Sequence, residues 1–142
     1  MSRVKNKIRV RRGQALIEFA LVLPLLLILL LFIVQYGIIY RTAISLTNLS
    51  REGARYAATS PGLDSDIVQR VQDSRPATLN STDIMVKVTP DEGDTTRVRG
   101  SGAEITVTIS YDMSKKLFLP ATFLGAHIFA TTYTTHSTFA VE

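Results

Sequence analysis

The chain has no cysteine and only two histidines among its 142 residues. Without cysteine it can form no disulfide framework, no thiolate metal site and no cysteine nucleophile, so packing alone must hold its fold. The two histidines, His127 and His136, are expected in or beside one strand. They stand an odd number of positions apart, which puts them on opposite faces and argues against a shared metal. Asp91, Glu92 and Asp94 lack the ordered oxygen-ligand pattern of a calcium loop. Serine and threonine are abundant, but there is no nucleophile elbow and no phosphate-binding glycine loop. Asn48-Leu49-Ser50 and Asn80-Ser81-Thr82 match a glycosylation sequon that is common by chance. Internal repeats and low-complexity tracts are absent as well. These gaps predict a protein that is not an enzyme, with no cofactor, no metal and no small-molecule substrate.

What is present is concentrated at the N-terminus. The formal charge of +4 comes from Arg3, Lys5, Lys7, Arg9, Arg11 and Arg12; setting these six aside leaves ten of the 16 cations against 12 acids, a balance of −2. Such a basic cluster would ordinarily suggest nucleic acid, but here it abuts an apolar run from Ala15 to Val34 and reads as a topology signal, so no nucleic-acid partner is expected. At about 1.5 Å per residue the run spans roughly 30 Å, the thickness of a bilayer's hydrocarbon core. Six cations before the span, with only Arg41 soon after it, predict a cytoplasmic N-terminus and an extracytoplasmic C-terminal domain of a single-pass cytoplasmic-membrane protein. A secretory signal is excluded, because the run is too long and ends in Gln35-Tyr36-Gly37 with no small-residue cut site.

One residue in the apolar run is out of place. Glu18 is a lone carboxylate, and burying it costs up to about 2.5 to 3.5 kcal/mol at mid-membrane and less near the edge. It stands five residues after Gly13, in the order Arg11-Arg12-Gly13-Gln14-Ala15-Leu16-Ile17-Glu18-Phe19. This arrangement resembles the class III signal of type IV prepilins, in which a membrane peptidase cuts after the glycine and leaves the apolar helix attached. Cutting between Gly13 and Gln14 would expose an α-amine with a reference pKa of about 7.7 to 8.0, largely protonated at neutral pH. In a bundle of such helices that ammonium can meet a neighbour's Glu18 and set the axial register, since a paired charge is tolerated where an unpaired one is costly. The alternative is that Glu18 snorkels to the cytoplasmic interface without a partner.

The stretch Gly13 to Pro24, with Asn48 and Arg51-Glu52-Gly53-Ala54-Arg55-Tyr56-Ala57 downstream, resembles the TadE-like family, the minor pseudopilins of bacterial Tad (Flp-type) pilus systems. The resemblance covers about residues 13 to 58. It implies a prepilin peptidase, other pilins or pseudopilins and the pilus assembly machinery as partners, and a role in pilus biogenesis and adhesion. Phe19 stands where the major pilins of these systems usually carry tyrosine, which favours a minor component, and Gln35 stands where the family often has an acid. An uncleaved single-span protein tethering a small binding or adhesion domain outside the cell is the competing reading.

The helix is expected to run from Gln14 to Thr59, beyond the membrane. Ile39, Ala43, Leu46, Leu49, Gly53 and Tyr56 recur at three- and four-residue steps and form a packing face, with Arg41, Ser45, Asn48, Glu52, Arg55 and Thr59 opposite. Pro24 removes one backbone bond, as membrane helices tolerate. Glu52 and Arg55 read as an i,i+3 pair on the solvated face. Ser60-Pro61-Gly62 ends the helix.

A short capped helix is expected over Asp64 to Asp73, closed by Arg75-Pro76. Strands are expected at Ile84 to Thr89, Thr96 to Arg99, Glu104 to Tyr111 and Ile128 to Val141, with turns at Asp91 to Asp94 and Gly100 to Gly102. Ile105, Val107, Ile109 and Tyr111 alternate with hydroxyl residues, the period of a sheet with one buried face. In the last strand Phe129, Tyr133, Phe139 and Val141 share one parity. The apolar loop from Lys115 to Gly125 reads equally as tucked or as an exposed contact surface. The predicted architecture is therefore α+β: a leader at 1–13, a span at 14–35, an amphipathic extension at 36–60, and a head at 61–142 with a short helix and a small, mainly antiparallel sheet.

Overall fold

A computed structural model describes residues 5–60, 63–91, 93, 100–123 and 125–141. The chain divides into two compact units, Met1–Gly37 and Ile38–Glu142. In chain order the elements are α1 (Lys5–Thr59), α2 (Asp64–Asp73), a 3-10 turn at Ser81–Asp83, β1 (Ile84–Thr89), β2 (Glu104–Asp112), a second 3-10 turn at Ser114–Lys116, β3 (Thr122–Phe123), β4 (Ala126–His127) and β5 (Thr132–Ala140). The α+β class is as the sequence predicts.

The first unit is helical, and every residue from Gly13 to Leu30 is exposed. Leucine-rich apolar sequence favours the helix, and among the described residues of the unit no other element covers it. The helix is long and apolar enough to cross a membrane. It begins at Lys5 rather than Gln14, so the basic leader continues it: lysine and arginine are good helix formers, and the single Gly13 between them and the apolar run costs only about 1 kcal/mol relative to alanine. Pro24 lies inside α1, where its ring nitrogen cannot donate to the Ala20 carbonyl.

The second unit is built on β2, the middle strand of an antiparallel sheet of order β1-β2-β5. Its alternation decides the layering: Ile105, Val107, Ile109 and Tyr111 are all at most 1% exposed, while the residues between them face the other side. The register Ile84↔Tyr111, Val86↔Ile109 and Val88↔Val107 places the apolar positions of β1 on that same face. Leu46, Leu49, Ala54 and Ala57 of α1, Ile67 and Val71 of α2, and Leu79, Met113 and Val141 complete one core. Each fully buried aliphatic side chain contributes about 1.5 to 3 kcal/mol of transfer free energy, which is how a unit without cross-links holds together.

α2 spans the residues expected, but its cap position makes no side-chain cap bond. Leu63 occupies the cap position, and Asp64 and Asp66 in the first turn meet the positive end of the helix dipole instead. The turn before β2 requires glycine at Gly102, whose φ is +82°; there Ala103 N–H donates to Gly100 C=O at 2.9 Å. Two strand expectations are corrected. The last strand begins at Thr132, not Ile128, because Ala126–His127 pairs back on Thr122–Phe123 as a separate two-stranded ribbon. β2 also runs one residue further, to Asp112. The strand expected at Thr96 to Arg99 and the helix-ending Pro61-Gly62 lie outside the described residues.

Candidate functional site

The segment around Glu18 is a single helical face. Gly13 has open space around it, since a Cβ added there would meet nothing within 4 Å. Gln14 and Glu18 are one turn apart, the i,i+4 spacing that stacks side chains, and Gln14 Nε2 donates to Glu18 Oε1 at 3.4 Å. Both are exposed, and Leu16, Ile17 and Phe19 around them are each at least 60% exposed. Chemically this is one carboxylate with a carboxamide beside it, ringed by apolar surface, and among the described residues of the first unit there is no second acid. Pro24 is exposed on the same helix.

The other residues singled out from the sequence lie in the second unit. Leu46, Leu49 and Gly53 are buried, and Ile39 and Ala43 are half-buried. A Cβ on Gly53 would stand 2.7 Å from Val71 Cγ2 and 3.3 Å from Val107 Cγ1, so glycine permits α1, α2 and β2 to meet at one point. The buried face is wider than the stripe predicts: Thr42, Ser50, Ala54, Ala57 and Ala58 belong to it too. Ser50 Oγ donates to the Val107 carbonyl at 2.9 Å. The small size of these residues was the legible signal, because polar or tiny side chains on an inner face mark close approach.

Glu52 corrects an expectation. It pairs with Arg70 of α2 at 2.7 Å rather than with Arg55, and the Arg70 guanidinium also lies 6.0 Å from the Tyr56 ring centroid. A local reading of α1 could not foresee a partner supplied by the next helix. His127 and His136 lie in different strands, β4 and β5, and both are exposed. Among the described residues no group of three His, Cys, Asp or Glu is placed to hold a metal. Glu92 and Asp94 lie outside the described residues.

The sharpest electrostatic feature joins the two 3-10 turns, Ser81–Asp83 and Ser114–Lys116. Lys115 Nζ stands 2.6 Å from Asp83 Oδ1, and the Asp83 side chain is only 7% exposed. The Lys115 ammonium, helped by the Asn80 amide, holds the Asp83 carboxyl below its usual range, and the same pair raises Lys115. Asp112 is lowered by the Ser114 backbone N–H, which donates to its Oδ1 at 2.8 Å. Lys116 lies 5.0 Å from the Tyr111 ring centroid and donates to the Thr78 carbonyl at 2.6 Å. The apolar loop from Lys115 to Gly125 is of mixed exposure: Leu117 and Leu119 are half-buried and Phe118 is exposed.

The family model described as TadE-like protein matches residues 13–55. The match covers Gly13 to Pro24, Asn48 and Arg51 to Arg55 of the motifs that carry the resemblance in the sequence, and stops short of Tyr56 and Ala57. No curated protein and no solved structure matches the chain.

Proposed function

From a chain whose residues 13–55 are TadE-like, we propose a minor pilin or pseudopilin of a Tad-type pilus system, cut after Gly13 and packed through its apolar helix into the pilus or its assembly base. The observation that carries this reading is the placement of the match: it opens at Gly13, the glycine of the cut, and contains the lone carboxylate Glu18. A prepilin peptidase removes the basic leader on the cytoplasmic side. The ammonium of Gln14 then pairs with Glu18 of an adjacent helix in low dielectric and fixes the register. The open surroundings of Gly13 leave it accessible to a peptidase, and the uncovered face from Gly13 to Leu30 leaves the helix available for lateral packing. The leader lies inside, the second unit lies outside, and the assembled pilus supports adhesion.

Mass analysis of the N-terminus of the protein purified from its host tests this: the mature chain is expected to begin at Gln14, and Gly13→Val to retain the leader. A wild-type chain that keeps its leader while pili form normally overturns it. The second reading is an uncut anchor that tethers a small external domain. It is supported by the continuity of α1 through Gly13 from Lys5, because a helical segment must unwind before a protease can cut it.

A further inference from the structure

Gln14 is the residue that the proposed cut would make N-terminal, and its side chain carries a carboxamide. We propose that Gln14 of the cut chain is a site of intramolecular lactam formation, and that Glu18 is the positioning residue that holds this reaction back. The inference rests on cleavage after Gly13, as argued above.

The chemistry needs nothing beyond the chain. The neutral α-amine attacks its own Cδ; the N–Cδ bond forms, the Cδ–Nε2 bond breaks, and Nε2 takes a proton from the amine and leaves as ammonia. A five-membered lactam results, and the terminus changes from cationic to neutral. Two features of the structure oppose this. Gln14 Nε2 donates to Glu18 Oε1 at 3.4 Å, so the carboxamide is turned along the helix toward the next turn, whereas the lactam requires it to fold back onto its own nitrogen. A carboxylate one turn away also offers the ammonium form an ion-pair partner, and an ammonium has no lone pair to attack with. Between Gly13 and Gly37 the titratable side chains are Glu18 and Tyr36 alone, and Tyr36 is several turns distant, so no other side chain of this segment modulates the amine.

At a reference pKa of about 7.7 to 8.0, roughly a tenth of such amines are neutral at pH 7, so an unguarded Gln14 would cyclise steadily. Lactam formation would leave Glu18 as an uncompensated charge in apolar surroundings, the arrangement that costs most. A subunit that waits too long unassembled thus loses the charge that sets its register. One whose ammonium is already clasped by a neighbour's Glu18 keeps it. The processed terminus carries its own time limit for assembly.

Intact-mass measurement of the full chain, processed in its host and taken separately from membranes and from sheared pili, tests this. The membrane pool is expected to contain a species starting at Gln14 and lighter by one ammonia, with less of it in pili. In detergent the cyclised share should rise with time and with pH as the amine deprotonates. Glu18→Ala, which removes the acceptor that holds the carboxamide along the helix, should cyclise measurably faster than wild type. Glu18→Gln, which can still accept from the carboxamide, should fall between Glu18→Ala and wild type, and Gln14→Ala should lose no ammonia. A cut chain that keeps its ammonia in every fraction, or cyclises equally fast in wild type and Glu18→Ala, overturns this inference while leaving the processing reading intact. A wild-type chain that keeps its leader overturns both. If Glu18→Ala does not accumulate, the pH series on wild type decides: a rate that is flat from pH 6 to pH 9 overturns the inference.

Discussion

The Ser50 hydroxyl donates to the main-chain carbonyl of Val107 at 2.9 Å, fully buried, and so ties α1 directly to the middle strand of the sheet. Ser50→Ala keeps the shape and removes the donor. It should destabilise the second unit by about 1 kcal/mol, the net worth of one intramolecular hydrogen bond. Ser50→Val should cost more, because it removes the donor and also places a bulkier side chain at a fully buried position. Thermal midpoints of the detergent-solubilised chain, read in the strand region of the circular dichroism spectrum, check both. Equal midpoints for wild type and Ser50→Ala would show that the bond adds nothing net.

Gly53 of α1 leaves room for Val71 of α2 that a larger residue would take. Gly53→Ala improves helix propensity by about 1 kcal/mol but drives a methyl to 2.7 Å from Val71 Cγ2. Overpacking of that kind costs about 1 to 3 kcal/mol, so the net change should be destabilising. Val71→Ala should relieve the clash. A double-mutant cycle is expected to show a favourable coupling of at least about 0.5 kcal/mol, and strict additivity of the two changes would refute the contact.

Asp83 and Lys115 make the stability of the second unit depend on pH at both ends. The folded-state pKa of Asp83 is depressed, so its contribution is present above the ordinary carboxylate range and is lost as pH falls below about 4, through the folded value. That of Lys115 is raised, so its contribution is present below the ordinary lysine value and is lost as pH rises through the folded one. Lys115→Met should return the Asp83 carboxyl upward in a carbon-detected NMR titration. An Asp83 that titrates identically in both chains would show that Lys115 is not the cause.

The Glu52–Arg70 pair is half exposed on both sides and should matter little. Glu52→Gln is expected to change stability by well under about 1 kcal/mol at physiological salt, less at high salt, since screening and side-chain entropy offset most of the attraction. A loss of several kcal/mol, measured by denaturant midpoint, would mean that the ion pair is buried by something else.

Much of this fold could be read from periodicity. β1 and α2 occupy the residues predicted because each pairs a regular apolar period with clear breakers at its ends, and the inner face of β2 follows from strict alternation. What escaped the sequence were relationships fixed by distant parts of the chain. The partner of Glu52 is an arginine on another helix, Ser50 looks like solvated serine until β2 is laid beside it, and the ribbon of β3 and β4 hides inside a run of apolar residues. The start of α1 at Lys5 is hidden in a basic cluster whose charge signals topology more strongly than helix propensity. Glu18 was visible as a solitary acid in an apolar run; its bond to Gln14 required the rotamer.

The order β1-β2-β5 also has a timing consequence during synthesis. β1 and β2 emerge close together and can close as a hairpin early, but the second neighbour of β2 lies beyond the β3–β4 ribbon. Until it arrives, the hydrogen-bonding groups along one flank of β2 stand open, and long-range closure of this kind is slow. A nascent chain of this design passes through an interval in which an unfinished sheet can recruit a foreign strand, and cellular holdases that shield β2 at that stage should raise the yield of folded protein.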